Sequence, residues 1–365
     1  MNHTYFFTGF PGFISTQLII QLLKDYSPIK QVYLLVLPSM KEKAENELSS
    51  ICEEHKVSSD LFTLVEGDIT ASNLGIKPEL HKELQLYVTH FYHLAAIYDL
   101  AVPKAIAHKV NVEGTRQVLT FVATISSIER FIYFSTAYVA GKRTGLIKED
   151  ELQMGQQFHN HYDQTKYEAE LLVQARMDLI PTTIIRPGIV VGHSETGETA
   201  KFDGPYFILN FLDRLRFLPI IPNMGSGVHP LNLVPIDYLI RATSYLSHSQ
   251  IGEGNVYHLT NPHPYPVKDI YKAMMKEFIN KKPVGTVPVS LVKSFLSISF
   301  IRKWLRVELE TLDYFTWNAS FDCNQAQRDL QGTNITCPDL LEMIPVIVSF
   351  YKENQTDPTK FIPIQ

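Results

Sequence analysis

Three tyrosines in the sequence are each followed, four residues later, by a lysine, a spacing that can support proton transfer. The pairs are Tyr26/Lys30, Tyr138/Lys142 and Tyr162/Lys166. On a helix this spacing puts the phenol and the ammonium on one face. A nearby cation favours the phenolate, so it lowers the tyrosine pKa from about 10 towards the neutral range. Because the spacing also arises by chance, its context must select the functional pair.

Context favours Tyr162/Lys166. Pro28 interrupts any helix that would join Tyr26 to Lys30, and Gly141 lies within the second pair. The third pair opens a run of good helix formers and follows Thr136, at the C-terminal end of a predicted strand. Ligands of open α/β sheets bind outside such strand ends. We therefore predict that Thr136 holds a substrate oxygen and that Tyr162 moves a proton, with Lys166 tuning it.

A glycine turn with the sequence TGFPGFIS occupies residues 8–15, between the first predicted strand and the first predicted helix. Small residues there let the backbone approach a pyrophosphate, whose charge is stabilised by the free N–H groups of the helix N-terminus. The spacing is G-x-x-G, with Ser15 where a third glycine is often found. Its position directly after the first strand favours dinucleotide binding over an ordinary turn.

The end of the second predicted strand carries no carboxylate that would accept from a ribose 2′-hydroxyl and repel a 2′-phosphate. Ser39, Lys41 and Lys43 can contact such a phosphate, although both lysines also suit a solvated helix. We therefore expect NADP(H), with NAD(H) as the other option. Asp68, after the third strand, lies either at the adenine edge or at a helix N-cap.

Short apolar runs alternate with helix-length periodic segments, a pattern typical of a parallel sheet covered on both faces. The predicted strands are residues 5–7, 32–37, 62–65, 88–94, 131–135, 182–186 and 255–259, and the predicted helices are 15–25, 41–55, 105–126, 162–177, 267–278 and 289–305. This predicts an α/β fold, a Rossmann-type doubly wound sheet. Residues 1–187 and 228–262 are assigned to that domain, and residues 188–227 and 263–365 to a smaller substrate-binding cap.

Composition excludes several classes of protein. The 365 residues carry 33 Lys and Arg against 38 Asp and Glu, with no basic tract, so no nucleic-acid partner is expected. The three cysteines lack C-x-x-C spacing, and His93, His159 and His161 lack spaced partners, so we predict no metal site and a reducing, cytoplasmic location. No apolar run is long enough for a spanning helix, and no G-x-S-x-G hydrolase elbow is present.

Seven short motifs resemble, in their order, the extended short-chain dehydrogenase/reductases. They are TGFPGFI at 8–14, GDIT at 67–70, HLAA at 93–96, NVEGT at 111–115, FSTAY at 134–138, YDQTK at 162–166 and RPGIV at 186–190. The STAYV sequence at 135–139 and the opening turn are similar to the male-sterility or thioester-reductase-like branch, which includes fatty acyl-CoA reductases. Two positions depart from the pattern: Ser15 replaces the third glycine, and Leu37 stands where NADP-using members often carry arginine.

The resemblance implies that Asn111 supports the catalytic site, and the position of Lys166 beside Tyr162 predicts that Lys166 also holds the nicotinamide ribose. Together with the positions above, the predicted cofactor contacts are Thr8, Gly9, Pro11, Gly12, Phe13, Ile14, Ser39, Lys41, Asp68, Ile69, Leu94, Ala95, Ala96, Ser135, Tyr162, Lys166, Pro187, Gly188, Ile189 and Val190. Four residues are predicted to line an apolar substrate pocket, with core packing as the alternative: Tyr98, Ala137, Phe202 and Tyr206.

The expected function is an NADP(H)-dependent oxidoreductase that reduces a carbonyl or an acyl thioester on a small lipophilic substrate. One alternative is a nucleotide-sugar epimerase or dehydratase with tightly held NAD, and another is a non-catalytic dinucleotide-sensing protein. Residues 289–305, flanked by basic side chains, either contact a membrane peripherally or pack as an ordinary helix. Self-association as a homodimer also stays open.

Overall fold

The structure is a computed structural model that describes residues 3–98 and 102–364. The strands are, in chain order, β1 (Thr4–Thr8), β2 (Gln31–Val36), β3 (Phe62–Glu66), β4 (His90–His93), β5 (Arg130–Phe134), β6 (Gly145–Ile147), β7 (Thr182–Pro187), β8 (Ile189–Val191), β9 (Asn223–Met224), β10 (Leu233–Pro235), β11 (Asn255–Leu259), β12 (Thr286–Val287) and β13 (Ala319–Phe321). The helices are α1 (Phe13–Asp25), α2 (Lys41–His55), α3 (Pro78–Tyr87), α4 (Lys104–Ala107), α5 (Gly114–Val122), α6 (His161–Gln174), α7 (Tyr206–Leu215), α8 (Ile236–His248), α9 (Val267–Ile279), α10 (Val289–Leu296), α11 (Ser299–Leu305), α12 (Thr311–Thr316), α13 (Asn324–Asp329) and α14 (Leu340–Asn354).

Seven strands form one sheet in the order β11-β7-β5-β4-β1-β2-β3, and every neighbouring pair is parallel. Strands β1, β5 and β7 are buried at every position, as expected for strands covered on both faces. The predicted α/β class and doubly wound sheet are confirmed. The strand order reverses between β1 and β4, which makes the crevice outside their carboxyl ends the expected ligand position.

Helices cover the sheet on both sides. On one face α1 packs against α8 through Leu18, Leu22 and Leu239, among other buried residues. On the other face α5 and α6 contribute Val118 and Ala169 to a second core. A third core, the cap core, is built from α7, α9 and α14.

Two predicted helices differ from the observed ones. Residues 105–126 form α4 and α5 joined by a π-helical turn at His108–Glu113. Residues 289–305 form two helices, because Ile298 adopts an extended conformation between α10 and α11. The Ser297 hydroxyl donates to the Ser294 carbonyl (2.7 Å), and such local side-chain bonds compete with a continuing helix.

A buried ion pair connects α6 to β7. The Arg186 guanidinium lies 2.6 Å from a Glu170 carboxylate oxygen, and the two side chains are only 1% and 0% exposed. The Ser135 hydroxyl, just after β5, also donates to Glu170. Arg186 additionally donates to the backbone carbonyls of Glu149 (3.0 Å) and Glu151 (3.1 Å). The pair therefore fixes α6 against the carboxyl ends of the two strands.

The same network continues into the C-terminal segment through Glu149. Its carboxylate accepts from the backbone N–H groups of His258 (2.9 Å), Gln325 (2.7 Å) and Ala326 (3.2 Å). Burial raises the pKa of Glu149 to about 7 despite these donors. Glu149 thus joins β11 and the start of α13 to the ion pair.

We expect Arg186→Met to lower the free energy of unfolding by about 3–5 kcal/mol, because it leaves the Glu170 charge buried and unpaired. The double variant Glu170→Gln/Arg186→Met should recover part of that loss, since no lone charge remains. Urea unfolding followed by circular dichroism measures both. Arg216→Met, on an exposed ion pair with Asp213, is the matched control. Equal midpoints for the Arg186 and Arg216 variants would contradict the structural role of the pair.

Candidate active site

Two glycines of the turn after β1 permit a close approach of backbone segments. Gly9 has a φ of +91°, and a Cβ there would lie 2.8 Å from the amide nitrogen of Ala95. A Cβ at Gly12 would lie 2.6 Å from the carbonyl oxygen of Gly9. A larger residue at either position would force the backbone to move. The turn is therefore held against the segment that follows β4.

The N-terminus of α1 faces the same edge of the sheet. The helix begins at Phe13, so the Phe13 and Ile14 amides belong to the N–H groups that have no acceptor within a helix. The Ser15 hydroxyl donates to the Gly9 carbonyl (2.9 Å) and accepts from the Gly12 N–H (3.2 Å), which closes the turn without a third glycine. Open amides beside a small-residue turn fit the pyrophosphate of a dinucleotide.

A chain of hydrogen bonds connects this turn to the catalytic region. The Ala95 N–H donates to the Thr8 hydroxyl (3.1 Å), and that hydroxyl lies 2.8 Å from Nδ1 of His93. Nε2 of His93 lies 3.0 Å from the Thr115 hydroxyl, which donates to the Asn111 carbonyl (2.7 Å). Because Thr115 has one proton to donate, His93 must donate from Nε2 and accept at Nδ1. Burial lowers the pKa of His93 to about 3, so the ring is neutral.

Asn111 lies in the π-helical turn and joins two parts of the site. Its Oδ1 accepts from the Ile97 N–H (2.9 Å), and its Nδ2 donates to the Thr165 hydroxyl (3.0 Å). Thr165 stands on α6 between Tyr162 and Lys166. The amide of Asn111 therefore holds the catalytic helix against the segment after β4, and a π-helical turn is a common feature of functional sites.

Lys166 is fixed at the end of β5. Its Nζ donates to the Phe134 carbonyl and lies 4.4 Å from the centre of the Tyr133 ring. Burial lowers the pKa of Lys166 to about 7. The ammonium thus lies at the carboxyl edge of the sheet, the edge that also carries the glycine turn.

Tyr162 differs from the sequence expectation in one respect. Its pKa is raised from the ordinary value, mainly because the phenol is removed from water and additionally because of the Asp163 charge. The spacing to Lys166 predicts the opposite direction. Lys166 is not among the groups that shift the pKa of Tyr162, and its Nζ donates to the Phe134 carbonyl instead.

Thr136 and Ser135 follow β5. The Thr136 hydroxyl accepts from the Tyr138 N–H (3.2 Å), which leaves its proton for another acceptor. Ser135 is committed to Glu170 through its hydroxyl. Of these two neighbours, Thr136 is the one that can donate to a substrate oxygen.

The other predicted cofactor residues border the same edge. Ser39 and Lys41 are exposed after β2, and Lys41 pairs with Glu66 at the end of β3 (2.7 Å). The Asp68 carboxylate accepts from the Thr70 N–H (2.8 Å), and Ile69 is buried against Gly114. Pro11 lies in the glycine turn. Leu94 and Ala96 lie in the segment after β4. The junction of β7 with β8 holds Pro187, Gly188, Ile189 and Val190.

The predicted substrate residues occupy different environments. Tyr98 is 59% exposed, its hydroxyl donates to Asp203, and its ring meets that of Tyr162 edge-on with centroids 6.4 Å apart. Ala137 is buried in the short turn after Thr136. Phe202 and Tyr206 lie inside the cap core, and the Tyr206 hydroxyl accepts from the Gly192 N–H (3.1 Å). Of the four, the structure brings Tyr98 to Tyr162.

The remaining tyrosine and lysine pairs have other partners. The Tyr26 hydroxyl donates to the Ser244 carbonyl (3.2 Å), and Lys30 lies over the ring of Tyr87. The ring of Tyr138 is buried in an aromatic cluster with Trp317. Neither pair has its phenol at the glycine-turn edge with a fixed ammonium.

A histidine group lies at the opposite end of the sheet. Among residues 3–98 and 102–364, His3, His90 and His248 have ligand atoms within 4.8 Å of one another. Nε2 of His248 lies 2.8 Å from the Tyr5 hydroxyl and Nδ1 lies 2.9 Å from the Ser244 carbonyl, so both nitrogens are engaged. Edge-on and stacked ring contacts join the three histidines to one another.

Residue types alone did not identify Asp163, which lies next to Tyr162 and is fully buried. The Tyr314 hydroxyl of α12 donates to its carboxylate (3.2 Å) and accepts from Nδ2 of Asn160 (2.7 Å). Burial raises the pKa of Asp163 to about 8, so the carboxyl is mostly protonated at neutral pH. The sequence signal that could have identified Asp163 is an acidic residue between Tyr162 and Lys166, at the start of α6.

A family model of NAD-binding domains with the description "Male sterility protein" matches residues 7–243. A non-canonical nonribosomal peptide synthetase of Aspergillus campestris is 28% identical over 84% of the chain and 29% of the synthetase. The L-2-aminoadipate reductase large subunit of Penicillium chrysogenum is 28% identical over 72% of the chain and 19% of that subunit. The chain thus spans less than a third of the length of these two relatives.

A solved structure shares the fold across nearly the whole chain. The terminal R domain from the myxalamid PKS-NRPS biosynthetic pathway has a TM-score of 0.79 and 25% sequence identity. The likeness covers 97% of this chain and 91% of the R domain.

The buried carboxyl of Asp163 should make stability depend on pH. A group with a folded-state pKa near 8 and an unfolded pKa of about 4 stabilises the fold when protonated, and this contribution is lost as pH rises from about 4 to 8. Asp163→Asn keeps the shape and does not titrate, so its unfolding free energy should fall less over that window. Urea unfolding at pH 5 to 9 measures the difference.

Asp150→Asn, at an exposed position, is the control and should retain the wild-type pH dependence. The assignment to Asp163 is wrong if both variants follow the wild-type curve.

Proposed function

The chain belongs to the male sterility protein family of NAD-binding domains, and on that premise we propose that it is an NADP(H)-dependent reductase acting on a carbonyl or acyl thioester of a lipophilic substrate. The family match confirms the resemblance to extended short-chain dehydrogenase/reductases drawn from the motifs. The observation that carries the proposal is the position of α6. It presents Tyr162 and Lys166 at the sheet edge that also holds the glycine turn and Thr136.

The cofactor position is supported by the fit of the turn and the α1 N-terminus to a pyrophosphate. Gly9 and Gly12 leave no room for side chains, and the first-turn amides of α1 are open. A nicotinamide dinucleotide bound there supplies the hydride for such a reduction. Lys166 has one N–H on the Phe134 carbonyl and retains at least one further N–H for the ribose hydroxyls, whether it is charged or neutral.

Thr136 and Tyr162 have different roles at the substrate oxygen. The Thr136 hydroxyl, which accepts from the Tyr138 N–H, donates its proton to that oxygen and orients it. Tyr162 then delivers the proton that the oxygen takes up as the carbonyl carbon is reduced. A phenol with a raised pKa is protonated at neutral pH and therefore in the form that can donate. Asn111 positions α6 through Thr165.

The lipophilic character of the substrate is supported by a cavity of about 310 Å³ in the cap. It lies between α7 and the α10–α11 pair. Its walls include Phe207, Phe211, Leu296 and Ile301, and nearly every other lining residue is apolar as well. A hydrocarbon chain fits such walls because it leaves no polar group without a hydrogen bond.

Tyr162→Phe should lower the turnover rate about 10²- to 10⁴-fold, because the proton donor is lost. NADPH affinity, measured by fluorescence titration, should stay within about threefold of wild type. Turnover is followed at 340 nm with an acyl-CoA, a long-chain aldehyde and a nucleotide sugar. Tyr26→Phe, which removes a phenol bonded to Ser244, is the matched control and should retain activity.

Two results would count against the proposal. Retained activity in the Tyr162 variant would remove its proposed role. Turnover of the nucleotide sugar alone would favour an epimerase or dehydratase.

NADPH should bind more tightly than NADH, and Lys41→Gln should weaken NADPH binding about tenfold by removing a charge-assisted contact to the 2′-phosphate. NADH affinity should not change, because it lacks that phosphate. Lys56→Gln, beyond the other end of α2, is the control. Tighter binding of NADH by the wild-type protein would contradict the cofactor preference. It would not contradict the reductase proposal, which the turnover of the Tyr162 variant tests.

A further inference from the structure

The α10–α11 pair exposes an unusual number of large apolar side chains. Between 41% and 79% of the surface of each is accessible, with Phe300 the most exposed, and the set is Leu291, Phe295, Ile298, Phe300 and Trp304. These five residues fall within fourteen positions of the chain. Exposed apolar patches of this kind mark interaction sites on proteins.

The same segment is strongly basic. Residues 281–306 contain six basic residues and no acidic one, although the whole chain carries a net charge of −5. The basic residues are Lys281, Lys282, Lys293, Arg302, Lys303 and Arg306. Lys293 pairs with Asp313 (2.5 Å), whereas Lys282 and Lys303 are exposed and form no ion pair within the part of the chain that the structure describes. A partner that is both apolar and anionic would complement this surface.

The exposed residues are continuous with the apolar cavity of the cap. Phe295 and Trp304 line the cavity and are 59% and 41% exposed. The inner faces of the two helices, with Leu296, Ile301 and Leu305, form the rest of that wall. The α10–α11 pair thus contributes both to the wall of the apolar cavity and to the exposed apolar surface.

The charge of this surface decides among its occupants. In a symmetric dimer the same patch would face itself and bring two basic segments together, which is unfavourable. A negatively charged bilayer matches both properties, because apolar side chains enter the acyl region while lysines remain at the headgroups. We propose that α10–α11 is a peripheral docking surface for anionic lipid bilayers. That the cavity takes its apolar substrate from the bilayer is an extension that rests on the proposed function.

Within the described residues, no helix combines the length and the hydropathy that a membrane crossing requires. The proposed contact is therefore interfacial. The apolar side chains of α10–α11 reach into the lipid, and the helices themselves lie along the surface.

Vesicle sedimentation of the full chain tests the proposal. The protein should sediment with vesicles of phosphatidylcholine and phosphatidylglycerol in a 7:3 ratio, bind pure phosphatidylcholine at least about tenfold more weakly, and be released by 0.5 M salt. Ile298→Ser/Phe300→Ser should lower the partition coefficient about tenfold or more, because two apolar side chains no longer enter the lipid. Lys282→Glu/Lys303→Glu should do the same by reversing two charges.

Matched controls are available on α3, where Leu86 and Lys82 are exposed. Leu86→Ser and Lys82→Glu should bind like the wild type. Thermal unfolding curves that match the wild type verify that the α10–α11 variants are folded. Tyr162→Phe should bind vesicles normally, so a failure of the docking proposal is distinguishable from a failure of the proposed activity.

Fluorescence locates the contact. The chain has two tryptophans, Trp304 on α11 and the buried Trp317. Lipids brominated along the acyl chain should quench the emission of the wild type and quench Trp304→Phe much less. The proposal is overturned if no vesicle binds, or if the α3 and α10–α11 variants bind equally. It is also overturned if sedimentation velocity shows a dimer that Ile298→Ser/Phe300→Ser abolishes while vesicles remain unbound.

Discussion

The ion pair between Glu170 and Arg186 is the constraint on which the geometry of the candidate site depends. Removing two charges from water is costly, so the pair is stable only while each remaining donor and acceptor is satisfied. Ser135, two backbone carbonyls and His258 supply those partners from separate elements. Tyr162, Lys166 and Glu170 recur every four residues along α6 and so share a face. Fixing Glu170 therefore fixes the two residues that precede it on that face.

The polar groups around this helix fall into two classes. His93 and His258 are buried, have pKa values lowered to about 3 by burial, and hold one tautomer through their hydrogen bonds. Asp163, Lys166 and Glu149 have pKa values of about 8, 7 and 7, also because of burial. The first class positions neighbours and does not change with pH near neutrality. The second class titrates in that range, so a pH profile of the site describes the group as a whole.

Much of the fold and part of the site could be predicted from the sequence because their signals are local. Buried strands are continuous apolar runs, and Pro28 excludes the first tyrosine and lysine pair without any structure. The link from Thr8 through His93 to Thr115, and that from Glu170 to Arg186, join residues far apart in the chain, so no spacing indicates them. The direction of the Tyr162 pKa shift depends on where the Lys166 ammonium points. An arginine that directly follows two isoleucines at the end of a predicted buried strand was the available sign of a buried partner for Arg186.

The break between α10 and α11 determines which apolar side chains this part of the chain buries and which it exposes. A single amphipathic helix over residues 289–305 would present one apolar stripe to the core and a polar face outward. Two short helices joined at an extended Ile298 instead carry apolar residues on both sides, with Leu296 and Leu305 inside and Phe300 outside. A helix pair that carries large apolar side chains on both sides favours apolar surroundings on both sides. The cavity supplies one such environment, and the basic residues of the segment indicate that the other is an anionic lipid surface.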